Sequence, residues 1–95
     1  MLEALHSHSF TPHLQTKFLL AGDFVLELVE IFEPPSMPRQ ERFSLTFIGP
    51  SEPLLQQGTY ELQHEAMGSL NLFLVPIGKD ERGIRYEAVF NRIIK

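Results

Sequence analysis

The chain has 95 residues, 43% of them apolar and 11% aromatic, with 8 Lys+Arg against 12 Asp+Glu and a formal net charge of −4. That length predicts one domain burying roughly 60–65% of its unfolded surface, and eight Phe speak against a disordered chain. The basic residues are few and scattered, which argues against a nucleic-acid partner, and the lack of Cys excludes disulfides, thiol nucleophiles and Cys-based zinc sites.

No stretch approaches the roughly 20 apolar residues of a membrane span, so no membrane partner is expected. The opening Met1-Leu2-Glu3-Ala4-Leu5-His6 has neither the basic nor the apolar region of a secretory signal, which makes a cytoplasmic location the expectation. Residues 1–13 read as a polar N-terminal arm and 14–95 as a single β domain. Phe10-Thr11-Pro12-His13 is the expected anchor of the arm, with a short helical turn near 12–15.

A first strand is predicted over 17–20, and Ala21-Gly22-Asp23 turns the chain. A second runs over 24–32, with Phe24, Leu26, Leu28 and Phe32 on one face and Val25, Glu27, Val29 and Ile31 on the other. Three Pro in five residues, Pro34, Pro35 and Pro38, rule out a central strand there and mark a loop. The third strand, 42–48, alternates Phe43, Leu45 and Phe47 against Ser44 and Thr46, as a half-buried strand does. Gly49-Pro50 breaks it, and 54–57 is expected to form one helical turn. The fourth strand, 59–64, turns Tyr60 and Leu62 inward. A hairpin follows, its arms 68–78 and 83–93 separated by Lys79-Asp80-Glu81-Arg82.

The fold class that follows is all-β: a six-stranded antiparallel meander forming a small barrel or a two-layer sandwich, with at most one or two short helical turns. The hairpin register stays open between Leu74 facing Ala88 and Val75 facing Tyr86. Its first arm is apolar on both faces, Leu70, Leu72 and Leu74 on one and Phe73, Val75 and Ile77 on the other. One of these rows needs cover, from this chain or from another molecule. The candidate protein-interface residues are therefore Phe73, Val75, Ile77 and Val89, with Pro34, Pro35 and Met37 of the proline loop.

No catalytic, cofactor-binding or metal-ligating residues are assigned. His6, His8 and His13 lie close together, but an arm fixes no ligand geometry by itself. His64 and Glu65 are adjacent on a strand and so point apart, which makes His64 a turn contact rather than an oriented base. Glu27, Glu30 and Glu33 read as a solvated face that protects a sheet edge. No phosphate-binding glycine loop, nucleophile elbow or dinucleotide fingerprint is present.

Phe43-Ser44-Leu45-Thr46-Phe47-Ile48-Gly49-Pro50, Leu55-Gln56-Gln57-Gly58-Thr59-Tyr60, Glu65-Ala66-Met67-Gly68 with Leu72-Phe73-Leu74-Val75-Pro76, and Tyr86-Glu87-Ala88-Val89-Phe90-Asn91 together resemble a family of small bacterial proteins of about a hundred residues, classed as a domain of unknown function. Its motifs include the Gln-Gly-Thr-Tyr and Tyr-Glu-Ala-Val-Phe-Asn segments, and they are specific in combination. The resemblance implies a compact β fold without established catalytic residues, and an association with phage-tail-like proteins that carry a tail-collar domain.

The expected function is a non-enzymatic structural or interaction module that binds another protein or itself, without a cofactor. The alternative is a small-ligand-binding barrel or enzyme with Tyr60, His64, Arg85 and Tyr86 around its mouth.

Overall fold

In the computed structural model, which describes residues 7–20, 24–35 and 40–93, a one-turn helix α1 (Ser7–Phe10) and a 3₁₀ turn (Thr11–His13) lead into six strands. These are β1 (Lys17–Leu20), β2 (Phe24–Phe32), β3 (Gln40–Gly49), β4 (Gly58–His64), β5 (Gly68–Asp80) and β6 (Gly83–Ile93). They form a closed antiparallel barrel in the order β1-β2-β3-β6-β5-β4. The barrel and the strands follow the period-two pattern, but the expected meander fails at one connection. After β3 the chain does not turn back beside it. Residues 50–57 cross the mouth of the barrel to start β4, three strands away in either direction around the barrel. Eight residues reach up to about 27 Å when extended, ample for that crossing. They cross without the helical turn expected over 54–57, and the bond between Glu52 and Pro53 is cis.

Inward rows from every strand fill the barrel. Phe18, Leu26, Leu28, Leu45, Phe47, Leu62, Leu74 and Tyr86 are wholly buried, each apolar side chain stabilising by about 1.5–3 kcal/mol. Phe18 meets Phe47 edge-on at 5.3 Å between ring centroids. At one end Phe43 and Phe90 pair across β3 and β6 and stack at 4.5 Å. Phe10 covers that stack, 6.2 Å from Phe43 and 5.8 Å from Phe90, so the arm is anchored at its Phe as expected. At the other end Leu55 of the crossing segment packs on the core, and its amide donates to the Tyr86 hydroxyl at 3.0 Å.

Two bulges adjust the faces. In β2 the register shifts between Leu28 and Glu30, so Val29 is the extra residue. Beyond it Ile31 packs on the core and Phe32 is exposed, the reverse of the period-two expectation for Phe32. In β5 the shift lies between Pro76 and Gly78, next to a proline that has no N–H to donate. Before that bulge the register aligns Val75 with Glu87, which continues the Leu74–Ala88 alignment and not that of Val75 with Tyr86. Residues 68–74 of β5 pair with β4, and 75–80 with β6.

The β5–β6 hairpin turns tightly through Glu81 and Arg82, with Gly83 at φ +141°. Gly83 lies against the Gly49 carbonyl oxygen, which an added Cβ would strike. Gly83→Ala combines backbone strain with overpacking and is expected to cost at least about 3 kcal/mol, read as a lower urea midpoint. Phe10→Ala, which uncaps the Phe43–Phe90 stack, is expected to cost about 3–5 kcal/mol in the same measurement.

Candidate functional site

Two places gather functional side chains: a polar cluster around His64, and the outer face of β2, β3, β6 and β5. His64 ends β4 with its side chain inside the barrel, since Leu62 and His64 share the inward parity. Its Nδ1 accepts the amides of Ala66 at 2.9 Å and Met67 at 3.2 Å, so the ring fastens the β4–β5 turn. An Nδ1 that accepts two N–H groups carries no proton. The network therefore assigns the proton to Nε2, which donates to Thr16 Oγ1 at 2.9 Å, while the Thr16 hydroxyl donates to the His13 carbonyl at 2.5 Å.

The His64 ring packs 4.4 Å from Phe18 and 4.6 Å from His13. Its pKa is pushed below the ordinary 6.5, first by burial and then by His13, with Glu65 acting weakly in the opposite sense. A groove of about 420 Å³ opens beside it, lined by His13, Gln15, Thr16, Lys17, His64, Glu65 and Ala66. The turn-contact reading of His64 thus matches the geometry. Among the described residues no three His, Asp or Glu side chains converge as metal ligands. His6 and the side chain of His8 lie outside the described residues.

The four residues of the ligand-site alternative do not share a site. The Tyr60 hydroxyl donates to the Gln56 carbonyl at 2.6 Å, and Tyr86 is buried under Leu55. Arg85 Nε donates to Asp80 Oδ2 at 2.7 Å outside the barrel, and His64 lies at the opposite end of β4 from Tyr60. Asp80 also accepts the Arg82 amide at 2.8 Å. The Arg85 and Arg82 hydrogen bonds hold its carboxyl below the usual range. A second cavity, about 390 Å³, is lined by Ser51, Leu54, Pro76, Gly78, Lys79 and Ile84.

On the outer face, Phe32 pairs with Ser44 and Ser44 with Val89 in one row across three strands. Phe73 shares their outward parity on β5, two residues before Val75, the first residue of β5 aligned with β6. Phe32 is 56% exposed, Val89 65%, Phe73 51% and Ile77 50%. Of the candidate interface residues, Phe73, Val89 and Ile77 are therefore bare, Val75 and Pro34 half-buried and Pro35 exposed. Met37 lies outside the described residues. Sequence reading missed Phe32. The signal was Glu30, which strict alternation would have placed inside between Leu28 and Phe32, a conflict that a bulge resolves.

Residues 5–90 match the family described as Domain of unknown function (DUF6916), and the chain belongs to that family. No curated protein and no solved structure matches the chain. No helix among the described residues is long and apolar enough to cross a membrane.

The tautomer at His64 sets a pH dependence. Above pH 6.5 the ring is neutral in both folded and unfolded chains. Below it the unfolded chain takes up the proton first, so stability falls with pH and levels off once the folded ring also titrates. The thermal midpoint of the wild type is expected to fall from about pH 7.5 to 5.5. His64→Gln is expected to start about 1–3 kcal/mol lower and to lose most of that slope.

Proposed function

We propose that this chain is a non-enzymatic module that binds protein through the outer face of its barrel, centred on Phe32, Val89 and Phe73. The observation that carries the reading is three large apolar side chains more than half exposed on the outer face, Phe32 and Val89 in one row on either side of Ser44 and Phe73 at outward parity on β5. Contiguous apolar surface of this kind marks interaction sites on soluble domains. The filled interior supports the same reading, because it directs contact to the outside. The ligand-site alternative has less support, since Tyr60, Tyr86, Arg85 and His64 each serve a separate structural bond. The bacterial resemblance and its phage-tail association extend the proposal to a small accessory component of a phage-tail-like assembly.

A photo-cross-linking side chain placed at position 73 or 89, expressed in the native host, is expected to capture a discrete protein species. The same group at position 63, an exposed polar site on β4, is the control. Equal capture at all three positions, or none, would remove the interface.

A further inference from the structure

The charges that border the apolar row have opposite signs on its two sides. Two residues along the strands toward the β5–β6 turn, Thr46 stands between its ladder neighbours Glu30 on β2 and Glu87 on β6. Two residues the other way, Arg42 on β3 is aligned with Asn91 on β6. These side chains share the outward parity of Phe32, Ser44 and Val89, since Phe43, Leu45 and Phe47 take the alternate, buried positions. Neither glutamate has an ion-pair partner among the described residues, while Arg82 and Arg85 are held by Glu27 and Asp80. Arg42 is only partly satisfied. Its Nη2 donates to the Pro35 carbonyl at 3.2 Å, and its Nε, out of contact with water, meets no acceptor.

An apolar row with a cation on one side and two carboxylates on the other complements itself. A two-fold axis lying along the row, across the strands, sets two such faces together with their strands antiparallel. The row of one copy then meets the row of the other. Arg42 of each copy comes over Thr46 of its mate, between Glu30 and Glu87. Neighbouring strands are about 4.8 Å apart, so a carboxylate stands about 5 Å to either side of that guanidinium. Packed sheet faces lie about 10 Å apart, a gap that an Arg and a Glu reaching toward each other close. Of the other charges nearby, Glu33 just past β2 is already engaged within its own chain. Glu61, aligned with Asn71, would lie opposite the Gly58 end of the second copy's β4, away from either carboxylate.

We infer that this face binds a second copy of the chain, in a two-fold dimer held by the apolar row and by two reciprocal contacts of Arg42 with Glu30 and Glu87. The inference rests on the proposed interface and names its occupant. A face of three strands is small for an obligate dimer, so the association is weak and reversible. Each copy carries a net charge of −4, a repulsion that physiological salt screens beyond about 8 Å.

Sedimentation velocity in about 0.15 M salt, from about 10 µM to about 1 mM protein, is expected to show monomer giving way to dimer. Arg42→Glu, and separately Glu30→Lys/Glu87→Lys, should each weaken the dimer about tenfold or more, because each sets like charges together at both contacts. Mixing the two variants restores opposite signs at both contacts, and the mixed dimer should return to within about threefold of the wild type. Phe32→Ser/Val89→Ser should remove the dimer while the circular dichroism spectrum is kept. A monomer at every concentration, a dimer indifferent to both charge variants, or a mixture no stronger than its components would overturn the inference. Capture of a different protein at positions 73 and 89 alongside such a result would leave the interface standing with another occupant; loss of position-specific capture as well would remove both.

Discussion

Closing the sheet at β1 and β4 is the constraint on which the rest of the barrel depends. β1 has four residues, and the seam carries one aligned pair, Leu19 with Gln63. So little backbone pairing leaves side chains to complete the closure. Phe18 does so from inside, wedged between Phe47 and His64. His64 does so from the end of the seam, joining the β4–β5 turn to Thr16 and through it to the His13 carbonyl. The arm then continues the sheet's own pattern, with the Gln15 amide donating to the Leu28 carbonyl and the Leu28 amide to the Thr16 carbonyl. An apolar ring at position 64 would fill the same space but strand the Ala66 and Met67 amides without an acceptor. Removing the acceptor from part-buried donors is destabilising.

The same outer surface treats two apolar positions differently. Ile48 points outward from β3, yet only 6% of it is exposed. Its ladder neighbours are Glu27 and Arg85, each held in an ion pair, and long side chains so placed can shield an apolar neighbour with their stems. These exposed ion pairs contribute little energy by themselves, but they keep the stems in place and tie the hairpin tip to β2. Four residues back along β3, Ser44 stands between Phe32 and Val89, with no long charged stem in that row. The contrast is local and physical. Where the barrel covers an outward apolar group it uses paired charges, and at the Phe32–Val89 row it does not.

Much of this fold was legible because alternation is a short-range signal. β1 and β2 fall at 17–20 and 24–32 as read, and β3 and β4 are extended by no more than two residues at an end. The inward rows Phe43, Leu45, Phe47 and Leu70, Leu72, Leu74 also follow directly. Strand order did not follow, because period two says which face a residue takes and nothing about which edge its strand joins. The placement of Phe32 failed for a related reason. A bulge adds one residue and reverses every face beyond it, so a single unpaired position at Val29 moved Phe32 from core to surface. Of the candidate site, Phe73, Ile77 and Val89 were readable as a surplus apolar row, whereas Glu30 and Glu87 became its neighbours only through the β2–β3–β6 register.

Both ends of the barrel are sealed by the chain itself, which bears on where recognition takes place. Phe10 closes one end over the Phe43–Phe90 stack, and the crossing segment closes the other through Leu55 and Tyr86. Small barrels that bind ligands inside keep an open mouth and spare interior volume; here large side chains occupy the axis from Phe18 to Tyr86. On the proposed reading, contact area comes from the outer walls. On those walls a side chain such as Val89, with two-thirds of its surface in water, gives up apolar area on binding without disturbing a packed neighbour. Its burial can therefore contribute to affinity at no cost to the core that holds the strand in place.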